Sequence, residues 1–433
     1  MTPHRIFTVR SPGRWQAQRG VAALTVVMLL FFIMAMVAAY ANRTLIFEQK
    51  ISANVYRFTK AAEAAEAGSE WAIAMMNGGR IDDSCQPSAN GNDTTFRQRY
   101  LQLNTTSGVY TATTWKKGAV SIPVGTVCYK SAPGSLSCRC PDTGDAVLPN
   151  LPADLPSAFQ ASLAPVPSGR PGVVALTVSG CSNLGSACYA GTNQAADAAA
   201  TSIQYLGLLS GLSSPPIAAL TVTGNVSASG LLAVTNTEPA SGITVHAGGN
   251  IAAATSKFSP PAGTGGDGSL ANDVKLTDMA TAQKVFLGMF GMDPATYRYQ
   301  PGAYRLQCTG AVCTPVSLQA AISNNPGRVI HVTGDLTINN DTPVLGTSAQ
   351  PLLLVVDGSV TLAGSDMQIN GMVYSKGFVW AATASNSFIG GALVVEGDFR
   401  ADTDANIFYA SAPLSLMNLG YGSFVRVPGS WTD

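Results

Sequence analysis

Arg19-Gly20-Val21-Ala22-Ala23-Leu24-Thr25 opens a stretch with no proline before residue 77. Val21 to Ala41 is an uncharged run of 21 residues. At 1.5 Å per helical residue it spans about 31 Å, the thickness of a bilayer core. Arg5, Arg10, Arg14 and Arg19 precede it with no acid among them. The positive-inside rule therefore keeps that end cytoplasmic and sends the residues after Ala41 across the membrane. From Ile51 the apolar and small positions step by four and three through Val55, Phe58, Ala62, Ala65, Ser69, Ala72 and Met76. That is a one-sided helical stripe. Gly68 is the one glycine after Gly20 in the stretch and costs about 1 kcal/mol against alanine. Asn77-Gly78-Gly79 supplies the stop, because glycine accepts the left-handed cap conformation.

A spanning half continued by an amphipathic half is the design of type IV pilins and pseudopilins. Gln18-Arg19-Gly20-Val21-Ala22-Ala23-Leu24 resembles a prepilin peptidase site cut after Gly20. Ala61-Ala62-Glu63-Ala64-Ala65-Glu66-Ala67-Gly68-Ser69-Glu70-Trp71-Ala72 resembles the corresponding stretch of PilX-type minor pilins. The resemblance covers roughly residues 16 to 79 and implies cleavage by prepilin peptidase, N-methylation of Val21 and storage in the inner membrane. It also implies assembly beside other minor pilins and the major pilin, primed at the pilus tip, near a large PilY-type adhesin. The assembly face is then Ile51, Val55, Phe58, Ala62, Ala65, Ala72 and Met76. One departure stands out: Thr25 occupies mature position 5, where major pilins carry a glutamate. That carboxylate answers the free amine of a neighbouring subunit in an apolar fibre core, where an unpaired charge is costly. A subunit without it fits the end of a fibre. Ala39-Tyr40-Ala41 also fits a signal-peptidase site, but the apolar run exceeds a secretory h-region. A plain anchor with a stalk is the other bland reading.

Charged residues make up 12% of the 433, about half the usual share. Without residues 1–20 the balance is 21 basic against 25 acidic, which argues against a nucleic-acid partner. All eight cysteines follow the apolar run: Cys85, Cys128, Cys138, Cys140, Cys181, Cys188, Cys308 and Cys313. An even number on the exported side reads as disulfides, with Cys181–Cys188 and Cys308–Cys313 as the first pairs. The other four allow three connectivities, and Cys138 and Cys140 are poorly placed to pair with each other. Zinc held by Cys85, Cys128, Cys138 and Cys140 is the rival, without paired C-x2-C knuckles.

The fold expected is α+β. A leader at 1–20 precedes a helix at 21–79, spanning the membrane over 21–41. A disulfide-bearing, β-rich, pilin-like domain follows at 80–214. Within it, the prolines from Leu148 to Gly172 read as a linker or an irregular loop. A β-solenoid-like domain takes 215–433, with an insertion at about 256–327 holding helices near 278–290 and 316–323. The solenoid rests on a repeat: Leu220-Thr221-Val222-Thr223-Gly224, Ile330-His331-Val332-Thr333-Gly334, Leu354-Val355-Val356-Asp357-Gly358 and Leu393-Val394-Val395-Glu396-Gly397. Short strands broken by glycine turns every 20–25 residues suggest parallel β-helix rungs over about 216–255 and 328–425. A β-sandwich with turn glycines is the alternative.

No G-x-S-x-G, H-E-x-x-H, Walker loop or dinucleotide fingerprint occurs, so no catalytic, cofactor or metal residue is assigned. His4 lies in the leader, and His246 and His331 in predicted strands suit structural roles. Asp402-Thr403-Asp404-Ala405-Asn406 opens like a calcium loop but lacks the sixth-position glycine and the twelfth-position glutamate. Asp335, Asp357 and Asp398 recur beside turn glycines, where aspartate makes tight turns. The sequence thus reads as a non-enzymatic minor pilin. A type II secretion pseudopilin and an anchored β-helix enzyme acting on polysaccharide are the alternatives.

Overall fold

The computed structural model describes residues 19–430 except 133, 149–153, 155, 168, 190–194, 282–283, 314, 341–343 and 384–385. For 19–20 and 308–312 it describes the backbone alone. Most of the leader therefore lies outside the described residues. Two compact units emerge, one ending at Arg57 and one from Phe58 to Asp433. One helix, α1, runs Arg19–Met76. From Val21 it is long and apolar enough to cross a membrane.

In the second unit, six strands form an antiparallel sheet: β1 Gly125–Ala132, β2 Ser135–Arg139, β3 Ala158–Pro165, β4 Val173–Cys181, β5 Ala199–Ser210 and β6 Gly422–Arg426. Their order is β6-β5-β4-β3-β1-β2. Three two-stranded ribbons between Arg80 and Pro123 flank it. The α1 residues Ala72 and Met76 share a core with Phe159, Ala161 and Leu163 of β3 and Val174, Leu176 and Val178 of β4.

Two boundaries differ from the sequence expectation. The proline-rich stretch contains β3, an interior strand of the sheet. Pro156 and Pro165 frame it, and Phe159, Ala161 and Leu163 alternate inward between them. Proline forbids a ladder hydrogen bond only at its own position, so framing prolines delimit a strand rather than destroy it. The last segment also leaves the solenoid. Leu206 to Ser210 of β5 pair with β6, so the chain returns from the C-terminal region to complete the earlier sheet.

The remaining large sheet is parallel throughout, which excludes the β-sandwich alternative. One of its ladders stacks Ala303–Cys313, Val329–Ile338, Leu352–Val356, Gln368–Ser375, Phe388–Val395, Ala218–Val222 and Ile243–Ala247 in that spatial order. The earliest strands in sequence thus stack after the latest ones. Six inter-strand steps separate Ile243–Ala247 from Ala303, about 29 Å at parallel spacing. The segment crossing that distance carries helices Val274–Thr281, Lys284–Phe290 and Pro294–Tyr297. Phe286, Phe290 and Tyr297 pack on Leu353, Val355, Met372 and Tyr374, the outer face of the ladder. Leu354, Val356, Val373 and Leu393 point to the solenoid core. A strand covered on both faces reads as an unbroken apolar run, which explains Leu352-Leu353-Leu354-Val355-Val356. Ala303–Cys313, inside the expected insertion, is itself a rung strand.

The cysteines pair as Cys85–Cys140, Cys128–Cys138 and Cys181–Cys188. This replaces the zinc alternative. Cys128 and Cys138 face each other directly across β1 and β2. Cys313 is also disulfide-bonded, while the side chain of Cys308 lies outside the described residues.

Two glycines carry the close packing. A Cβ on Gly180 would overlap the Ala61 carbonyl and the Ala65 amide of α1. One on Gly358 would come within 2.6 Å of the Gly334 carbonyl in the next rung. Gly180→Ala should lower stability by about 1–3 kcal/mol through overpacking. Gly91→Ala, which meets nothing within 4 Å, should stay within about 0.5 kcal/mol. Thermal melts of the two variants beside the wild-type protein check this.

Candidate assembly site

The alanine- and glycine-rich stretch docks α1 on its own sheet. Ala61, Ala65, Gly68, Ser69 and Ala72 are buried along one side. A Cβ at Gly68 would lie 2.7 Å from the Phe159 ring and 2.8 Å from Val178, so glycine here gives a close helix–sheet approach. Its propensity penalty is offset by packing. Ser69 donates its hydroxyl to the Ala65 carbonyl at 2.9 Å, leaving no buried orphan. Trp71 stands edge-on to Phe96 at 5.7 Å. Glu63, Glu66 and Glu70 are exposed. Glu70 pairs with Arg426 of β6 at 2.7 Å, and Arg426 donates to Gln204 at 2.9 Å. Between helix and sheet edge lies a groove of about 590 Å³ bordered by Phe58, Ala62, Glu66, Thr201, Gln204 and Arg426.

The predicted stripe divides. Ala65, Ser69, Ala72 and Met76 are consumed inside the chain, and Ala62 is half-buried. Ile51, Val55 and Phe58 are 61%, 58% and 58% exposed. Val21 and Thr25 are exposed as well, and the Thr25 hydroxyl donates to the Ala22 carbonyl at 2.9 Å. Gly20 is helical, with its surroundings outside the described residues.

Sequence reasoning missed the group that locks the end of α1. Arg97 is half-buried and donates to three backbone carbonyls: Met76 at 3.1 Å, Gly420 at 2.8 Å and Gly422 at 2.9 Å. Its guanidinium also lies 4.7 Å from the centre of the Phe424 ring. Burial pulls its pKa below the usual arginine value. Met76 ends the helix, so its carbonyl has no helical donor and a cation there is favoured. Beside it the Asn77 side chain pairs both ways with the Phe424 backbone, donating to the carbonyl at 2.9 Å and accepting from the amide at 2.8 Å. Two of the three partners of Arg97 lie more than 300 positions away, and no local motif announces it. Arg99, by contrast, is buried, and pairs with Asp142 at 2.7 Å and Asp83 at 3.2 Å beside the Cys85–Cys140 bridge.

Residues 19–70 match the family model described as PilX N-terminal. The chain carries the N-terminal domain of PilX-type pilins. No curated protein matches it. The PilX domain supports a type IV pilus-related pilin function, and with it membrane anchoring through α1 and interaction with other pilus components.

In the solenoid the aspartates act as rung-to-rung fasteners. Asp335 Oδ1 accepts from the Ser359 amide at 2.8 Å, and Asp398 Oδ1 from the Asn225 amide at 2.7 Å. Register places Asp335 and Asp398 three rungs apart, about 14 Å, beyond the separation glycosidic carboxylate pairs use. Asp357 lies instead 3.4 Å from the buried His331, and His246 pairs with Asp273 at 2.8 Å. In the calcium-like loop, Asp402 pairs with Arg400 at 2.8 Å and Asp404 accepts from the Leu231 amide at 2.8 Å.

Arg97→Met should leave the Met76, Gly420 and Gly422 carbonyls without this donor. The expected loss is at least about 1.5–3 kcal/mol, the range for hydrogen bonds to a charged group. Urea titration of the detergent-solubilised protein should show a lower midpoint with an unchanged slope.

Proposed function

We propose that this chain is a non-enzymatic minor pilin that primes type IV pilus assembly and sits at or near the pilus tip. The observation that carries this is Thr25. Its hydroxyl turns back onto its own helix and offers no charge to the amine of a neighbouring subunit. A subunit that cannot answer that amine is poorly suited to the fibre interior and well suited to its end. The exposed run from Val21 through Phe58 supplies contact with other minor pilins and the major pilin. The solenoid is the surface displayed, beside a PilY-type adhesin. Before assembly the chain is held in the inner membrane with its N-terminus cytoplasmic, and prepilin peptidase acts after Gly20.

Two measurements test this. Intact mass from cells with and without prepilin peptidase should show a new N-terminus at Val21 only with the enzyme. An uncleaved chain, or one beginning at Asn42, defeats the reading. Thr25→Glu should restore the missing charge and raise the number of copies per pilus, with immunogold label moving from the end into the shaft. Label unchanged by Thr25→Glu removes the argument from residue 25.

A further inference from the structure

The solenoid stops part-way through a rung. One core column runs Leu336, Val360, Phe378, Phe399, Val226 and Ile251. All but the last are fully buried, whereas Ile251 is only half-buried. Phe258, stacked beyond the buried Val234, is half-buried too. The strand that carries both, Ile251–Ser259, pairs with Val226–Thr235 on one side, and among the described residues with nothing on the other. Its exposed side chains are Ala252, Ala254, Thr255, Ser256 and Lys257, so one charge guards a nine-residue edge. A register shift between Ala228 and Leu231 interrupts the inner pairing of this strand, but native edges of that length are usually blunted by several charges or a cover as well.

The turn fasteners end at the same place. Asp398 receives the Asn225 amide, and Asn225 receives the Asn250 amide at 3.1 Å. Asn250 stands next in this column and is exposed; the following turn is supplied only as far as Asn272, whose amide donates to the Gly249 carbonyl at 2.8 Å.

The adjoining ladder is closed. Leu270 donates to the Val245 carbonyl at 2.8 Å and accepts from the Ala247 amide at 2.7 Å. His246 clamps Asp273 just beyond it, at the start of the crossing helices. The missing piece is therefore one strand long. The end of a second solenoid would collide with this cover, whereas a single extended segment would not.

We propose that the open edge of Ile251–Ser259 binds an extended, uncharged segment of a second polypeptide as one further parallel strand. The segment is about nine residues long, to match the edge, and sets apolar side chains over Ile251 and Phe258. Main-chain hydrogen bonds supply affinity and the two apolar positions supply selectivity, as in other strand additions. This goes beyond the pilin reading and does not depend on residue 25 or on tip position.

The probe is a synthetic peptide with the sequence of Val226–Thr235, which already pairs with this strand from its inner side. Added to the detergent-solubilised full chain, it should bind saturably and slow hydrogen exchange across Ile251–Ser259. The same peptide N-methylated at alternate residues should bind at least about tenfold more weakly, a difference of about 1.4 kcal/mol. That comparison leaves the protein untouched. Ser256→Pro should also abolish binding in protein that melts within a few degrees of wild type. No binding, protection elsewhere, or indifference to N-methylation overturns the proposal. Self-association through this edge in sedimentation also overturns it, by making the occupant a second copy.

Discussion

Arg97 is a positive charge drawn half out of water, and among the described residues it meets backbone oxygens rather than a carboxylate. Three carbonyl oxygens meet it, one at the end of α1 and two flanking the start of β6. Drawing a charge even part-way out of water is costly unless hydrogen bonds compensate it. Its environment must therefore be complete, and it is complete only when residues 76, 97, 420 and 422 converge. Asn77 adds a second tie at the same point by pairing with the Phe424 backbone as a strand neighbour would. The end of the helix, the first ribbons and the last strand are thus fixed together through Arg97 and Asn77.

That junction explains how two unlike β-architectures share one unit. The antiparallel sheet is closed by β6, which arrives only after the chain has traversed the solenoid. Leu212 packs with Val329, Leu353 and Val355, joining the end of β5 to the rungs at that end. The Tyr421 hydroxyl donates to the Pro351 carbonyl at 2.6 Å. The solenoid is consequently not a bead on a linker. It is held between β5 and β6 by both of its chain ends.

The helix, the solenoid and the local disulfide Cys181–Cys188 were legible because their signals are local. Periodicity, glycine spacing and short cysteine separation need no knowledge of the distant chain. The identity of the interior strand β3 was hidden by its flanking prolines, which resemble loop chemistry when read one residue at a time. The order of rungs was illegible for a different reason. A repeat shows that strands stack, but equivalent repeats do not reveal which neighbours which, and Leu220 beside Leu393 is set by the crossing segment. The site divides the same way. The small residues from Ala61 to Ala72 announced a close-packed helix, while Arg97 and Asn77 look ordinary until their partners, hundreds of positions on, are beside them.

The permuted rung order sets a condition on synthesis. Ala218–Val222 emerges early, yet its neighbour on one side, Phe388–Val395, is made about 170 residues later. At ribosomal speeds of about 5–20 residues per second, that strand waits roughly ten to thirty seconds for its partner. The wait is longer still for β5, whose edge is paired by residues 422–426. A chain ended before that point keeps an open sheet edge and an arginine facing empty space. Residues 420–426 therefore complete both the antiparallel sheet and the surroundings of Arg97.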